Sequence, residues 1–231
     1  MAYCYGHAGF IFIRFYNSHY MLKKAIALID GNNLYHNLKE LDIKPSDLDF
    51  FKFSDFICSN LGVGRDHIIY YNSIPKMSDP AYFDHKKFLD NLGKQGIEVK
   101  TRKLQYKSTK EIRNNVLELI DKMNLCKNCN PIVLTNLFNW IGNVIKKEKG
   151  IDVMMAVDII RSIIEKKHDY IVVVSGDVDL ISAMKFAESK GGKILSAFIS
   201  SGYSDEIKSN FKHFTASRTD LIKNCLKEEL I

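Results

Sequence analysis

Ala25-Ile-Ala-Leu-Ile29 runs directly into Asp30-Gly31-Asn32-Asn33, and the reading of this junction decides the fold. Five apolar residues in a row suit a strand covered on both faces, because a strand with one wet face would alternate apolar with polar. The acid, glycine and asparagines that follow are poor strand formers, and they suit a turn that opens a helix. A doubly covered strand leading into a helix is the first half of a βαβ unit, so the sheet should be parallel.

The alternation continues outward from there. An amphipathic stretch at about 47–61 precedes a second strand, His67-Ile-Ile-Tyr-Tyr71. Tyr82–Gly93 has apolar residues at helical spacing and is expected to stop at its glycine. Ile97–Leu104 alternates in polarity, which predicts an edge strand. Val153–Lys166 predicts a helix, Tyr170-Ile-Val-Val-Val174 a fourth strand, Ile181–Ser189 a helix closed by Gly191-Gly192, and Lys193–Ile199 a fifth strand. Two polar helices are expected near Ser204–Asn210 and Thr219–Leu230. The domain therefore spans about 21–215, with a C-terminal helix in 216–231. Residues 1–20 read as a loose extension or an overcalled start: their apolar core is short, Arg14 interrupts it, and no basic segment precedes it. Between them, residues 107–148 form an insertion too long for a bare loop. It is expected to hold helices over Lys110–Met123 and Pro131–Val144.

Composition narrows the classes. The chain has 231 residues, 46% of them hydrophobic and 26% charged, which is ordinary globular chemistry and not that of a disordered or collagen-like chain. No apolar run approaches the roughly 18 residues of a membrane span. Thirty-three basic against 27 acidic residues leave a net charge of +6, which permits a polyanionic partner without demanding one. Five scattered cysteines argue against a disulfide framework and for a reducing compartment, so a cytoplasmic location is expected.

In open parallel sheets, ligands bind at the carboxyl ends of the strands. Two buried strands end in acid there, at Asp30 and at Ser175-Gly176-Asp177-Val178-Asp179, and Asp152 follows Gly150 at a helix start. Crowded carboxylates repel unless a cation neutralises them, so they suggest a hard divalent ion, Mg²⁺ or Mn²⁺ rather than Ca²⁺. Asp30, Asp152 and Asp177 are then expected to converge within roughly 4–7 Å, given metal–oxygen distances near 2.1 Å. Asp158 lies about 120° around the same helix from Asp152, so the two should not share one ligand role. The alternative is that the three acids simply cap helices, as Asp does without any metal.

Ile29-Asp30-Gly31-Asn32-Asn33, Lys149-Gly150-Ile151-Asp152-Val153 with Ala156-Val157-Asp158, and Val174 to Leu180 followed by Gly191-Gly192-Lys193 together resemble the NYN domain. This is a branch of the PIN-like nucleases that includes the LabA-like proteins. The resemblance runs from Met21 to about Phe214. It implies a PIN-like α/β three-layer sandwich, a five-stranded parallel sheet in the order 3-2-1-4-5, and a metal-dependent ribonuclease whose products carry a 5′-phosphate. Position by position, Asp30, Asp152 and Asp177 match the family's metal-binding acids. Asn33 and Asp179 match residues that support or extend that site, Asp179 as a further metal ligand, and Ser175 matches a hydroxyl residue that orients it. Asp158 falls where the branch is often acidic, and Leu180 stands where the family often has Phe.

From Lys94 to Arg113, seven basic residues face two acidic ones. Lys100, Arg102, Lys103, Lys107, Lys110 and Arg113 are therefore candidates to grip single-stranded RNA, although lysines on an edge strand also block aggregation. Cys126-Lys-Asn-Cys129 is half of a zinc site without its other half, and it reads as an ordinary turn. The histidines show no nucleophile–base pairing. The reading that results is an RNA hydrolase, with a homodimer entertained as its assembly. A non-catalytic RNA- or protein-binding module on the same fold is the alternative, and a phosphomonoesterase is weaker because Asp30-Gly-Asn lacks a second aspartate.

Overall fold

A computed structural model describes residues 23–106, 109–141, 146–147, 149–200, 202 and 204–228. The apolar run at 25–29 lies within β1 (Lys24–Asp30), which is buried at every residue after Lys24. The chain then forms α1 (Gly31–Glu40), α2 (Phe50–Leu61), β2 (Gly64–Ile74), α3 (Tyr82–Lys94) and β3 (Glu98–Lys103). The insertion holds β4 (Gln105–Tyr106), α4 (Thr109–Lys122), α5 (Cys129–Ile141) and β5 (Lys146–Lys147). After it come α6 (Ile151–Glu165), β6 (Tyr170–Val174), α7 (Ile181–Ser189), β7 (Ile194–Ile199), α8 (Asp205–Asn210), β8 (Lys212–Ala216) and α9 (Arg218–Cys225).

One sheet, in the order β3-β2-β1-β6-β7-β8, carries the domain, and all its pairings are parallel. Because side chains alternate across a strand, its two faces form two cores. Ala25, Ile29, Val172 and Val174 face one core with Leu34 and Leu38 of α1, Phe53 and Ile57 of α2, Leu89 of α3 and Leu221 of α9. Ile26, Leu28, Ile171 and Val173 face the other with Met155 and Ile159 of α6, Met184 of α7 and Ile207 of α8. The result is the expected three-layer α/β sandwich, with β3 at one edge.

The sheet has six strands, not five. β8 extends it by pairing Leu195–Ile199 with Lys212–Ala216. Lys212-His-Phe-Thr-Ala216 mixes polar and apolar residues, and only Ala216 is buried, so an apolar-run criterion passes over it. α3 runs past Gly93 to Lys94, and the turn falls instead at Gly96, whose φ is +91°. α9 is shorter than the expected 219–230 helix. It is held at its start by a capping box between Ser217 and Asp220. The insertion carries two helices and is closed by the antiparallel pair β4–β5. Its second helix starts at Cys129, with Pro131 in the first turn, where the missing N–H costs nothing. The extension expected over 1–20 lies outside the described residues.

Asp158 ties α6 to the sheet. Its buried carboxylate accepts from the Tyr71 hydroxyl of β2 at 2.8 Å, Lys100 Nζ of β3 at 2.8 Å and Arg161 at 3.0 Å. Lys100 also pairs with Glu98 at 3.2 Å. Burial, followed by the neighbouring Asp158 carboxylate, drives the Tyr71 hydroxyl far above its ordinary range, so it stays protonated and donates. Replacing Asp158 by Ala leaves the buried Tyr71 hydroxyl without its acceptor and Lys100 with Glu98 alone. Urea denaturation should show a loss of about 2–3 kcal/mol, below the cost of a fully buried pair because Lys100 keeps some solvent.

Candidate active site

The site begins where β1 ends. Asp30 is the N-cap of α1, and its Oδ1 accepts from the backbone N–H groups of Asn32 at 3.1 Å and Asn33 at 3.0 Å. The first turn sits close under the sheet edge. A Cβ on Gly31 would lie 2.6 Å from the Tyr70 ring and from the Tyr71 carbonyl oxygen, so only glycine fits there. The other oxygen, Oδ2, accepts from the Ser175 hydroxyl at 2.9 Å. That same hydroxyl oxygen accepts from the Asp177 N–H at 3.1 Å. Asn33 Oδ1 accepts from the Gly176 N–H at 3.2 Å and from Asn37 at 3.0 Å. Two strand ends that are distant in sequence are thus joined by hydrogen bonds through Asp30, Asn33 and Ser175.

Asp177 caps a short 3₁₀ turn over 178–180, its Oδ1 accepting from the Asp179 N–H at 2.9 Å. It is half-buried, and Asp179 is exposed. Asp152 enters from the first turn of α6. The N-cap there is Gly150, at φ +88°, a left-handed conformation that side chains resist. Capping therefore explains two of the three acids and leaves Asp152 without that role.

The acids also act on one another. Burial raises the proton affinity of the Asp30 carboxyl, its hydrogen bonds oppose this, and the Asp177 charge adds to the rise. Burial likewise raises Asp152, followed by repulsion from Asp177, Asp30 and Asp179. All four carboxylates lie within one electrostatic neighbourhood. The full three-ligand convergence is not formed: among the described residues, no three His, Cys, Asp or Glu side chains stand close enough to hold one ion. The donor set still fits a hard cation, because Mg²⁺ keeps several waters and needs only one or two carboxylates.

Asp158 belongs to a different place. It lines a cleft of about 490 Å³ with Asp66, His67 and His168, which stand at the amino ends of β2 and β6. His67 bonds Glu98 at 2.8 Å, and its ring stacks on His168 at 6.4 Å. Lys100 is bound to Asp158 and Glu98, so it is a structural cation and not a free RNA contact. Arg102 and Lys103 are exposed. They flank a cleft of about 560 Å³ that Pro75 and Leu104 also line. Pro75 and Leu104 in turn line a smaller hollow of about 230 Å³ with Gly31, Asn32, Tyr35 and Tyr70. The two hollows thus adjoin at Pro75 and Leu104, and together they run from Gly31 and Asn32, the residues after Asp30, past the Tyr35 ring to the basic edge strand. The apolar run and the DGNN turn gave no signal for this hollow. Lys107 lies outside the described residues, as do the side chains of Lys110 and Arg113, whose backbone lies in α4.

A family profile described as the NYN domain matches residues 24–218. The chain belongs to the NYN domain family. NYN is a nuclease-type domain whose members are typically ribonucleases, and PIN-like nucleases generally use divalent metals. No curated protein and no solved structure matches the chain. Among the described residues, no helix of this NYN domain is long and apolar enough to cross a membrane.

The strained carboxylate has a measurable consequence. Because folding raises the Asp30 pKa above 3.8, its contribution is fully present below that value and is lost as pH rises through the folded pKa. Asn keeps the cap and cannot ionise. In EDTA, Asp30→Asn should therefore gain thermal stability on the parent between about pH 4 and pH 7. A melting-temperature difference that stays flat over that range would show no strain at Asp30.

Proposed function

We propose that the protein is a metal-dependent ribonuclease of the LabA-like branch, acting in the reducing setting of the cytoplasm. The observation that carries this reading is the mutual repulsion of Asp30, Asp152, Asp177 and Asp179 at the carboxyl edge, a cost that a bound cation relieves. Asp30, Asp152 and Asp177, with Asp179 beside them, would hold Mg²⁺ or Mn²⁺. When bound, such an ion activates water and stabilises the charge of an in-line phosphoryl displacement. Ser175 holds the Asp30 carboxylate in one orientation, and Asn33 keeps the loop at 175–177 against α1. Arg102 and Lys103 attract the RNA backbone, and Tyr35 offers a ring on which a base can stack. A single strand fits this surface, because bases must be free to reach an aromatic ring. Exposed Leu119, Met123 and Ile132 on the insertion support self-association as a homodimer.

The test is cleavage of labelled single-stranded RNA by the purified protein with Mg²⁺, with Mn²⁺ and with EDTA. Cleavage should require the ion. Asp30→Asn and Asp177→Asn should each slow it by on the order of 10–100-fold or more while RNA binding persists. Arg102→Ala with Lys103→Ala should weaken binding and reduce its log–log salt slope by about one per charge removed. If Asp30→Asn cuts as fast as the parent, the cleavage comes from elsewhere, and the binding-module reading takes its place.

A further inference from the structure

The turn between α4 and α5 holds a chemical group that the nuclease reading leaves unused. Read as sequence, Cys126-Lys-Asn-Cys129 is an ordinary turn, since a redox pair wants a helix N-terminus inside a thioredoxin-like unit. The fold supplies the helix N-terminus without such a unit. Cys129 is the first residue of α5. Its N–H donates to the Cys126 carbonyl at 3.1 Å and lies 3.4 Å from Cys126 Sγ, while the Asn130 N–H donates to the same carbonyl at 3.0 Å.

Such a turn is compatible with a disulfide between its two ends. A hydrogen-bonded four-residue turn keeps its end Cα atoms within about 7 Å, and disulfides span Cα separations of roughly 4.4–6.8 Å. Both thiols are exposed. The neighbouring Cys129 thiol, then the N–H groups of Cys129 and Asn128, hold the Cys126 thiol below its ordinary range, and Cys126 in turn raises Cys129. Cys58 and Cys225 are the opposite case: both are buried, and each is pushed up to about 12. The four described cysteines thus divide into two inert core thiols and one accessible, polarised pair.

We propose that Cys126 and Cys129 form a thiol–disulfide exchange site whose substrates are small disulfides such as oxidised glutathione. The Cys126 thiolate attacks one glutathione sulfur. A protein–glutathione S–S bond forms as the glutathione S–S bond breaks, and the first glutathione leaves as a thiolate that takes a proton from water. Cys129 then releases its proton to water and attacks the Cys126 sulfur, expelling the second glutathione. The two protein thiols lose two electrons, and the glutathione disulfide gains them to become two thiols. The order is directional, because the N–H at the start of α5 points at Cys126 Sγ, which makes Cys126 the leading nucleophile and leaves Cys129 to resolve the mixed disulfide.

The experiment uses the full chain in a Cys4→Ser background. Protein is incubated with oxidised glutathione, quenched in acid, unfolded, labelled with a maleimide and mapped by peptide mass. The parent should lose the labels at Cys126 and Cys129, keep those at Cys58 and Cys225, and carry no glutathione. Cys129→Ser should trap glutathione on Cys126, and Cys126→Ser should stay labelled at Cys129 over the same time. A parent that keeps all its labels overturns the proposal. So does glutathione trapped equally by both variants, which would mean two ordinary surface thiols with no leading nucleophile.

Discussion

The carboxylate of Asp30 is the point at which strand, helix and neighbouring loop are tied together. One oxygen ends β1 and begins α1 by accepting two orphan N–H groups, a capping interaction that is typically worth about 1 kcal/mol. The other oxygen takes the Ser175 hydroxyl, and through that hydroxyl the loop after β6 is fixed. Gly31 lets this turn lie against Tyr70 and Tyr71. The acidic edge is therefore a by-product of how the chain leaves its central strand, not a feature added to a finished fold.

The same arrangement explains why the edge is chemically poised. A carboxylate buried for capping is held where solvent cannot fully stabilise its charge, and Asp177 and Asp152 bring further negative charge toward it. Hydrogen-bond donors offset part of that cost, and a hard cation can offset the remainder. Local structure and function thus draw on one set of residues. Substituting Asp30 changes the capping, the loop position and the field together, which is why the neutral, cap-competent Asn is the informative replacement.

α6 separates two acids that lie close in sequence. Asp152, in its first turn, faces the other acids at the carboxyl edge. Asp158, further along, is buried against Tyr71, Lys100 and Arg161. One helix thereby serves the candidate site with one end and the packing of the sheet with its middle. The binding of Lys100 into this cluster shortens the basic surface at β3 to Arg102 and Lys103 among the described side chains.

Much of this was legible in the residues themselves. Apolar runs such as Ala25–Ile29 and Tyr170–Val174 can only be doubly covered strands, and the acids that end them mark the functional edge, because strand direction places those ends together in any parallel sheet. Neighbours in space were not legible. β8 is a strand because β7 lies beside it, not because Lys212-His-Phe-Thr-Ala216 prefers to be one. Lys100 looks like a free cation until Asp158 arrives from 58 residues away. Periodicity and local chemistry are carried by adjacent residues, and these the sequence by itself determined. Which charges meet and which carboxylates repel depend on contacts between distant segments, and only the tertiary structure decided those.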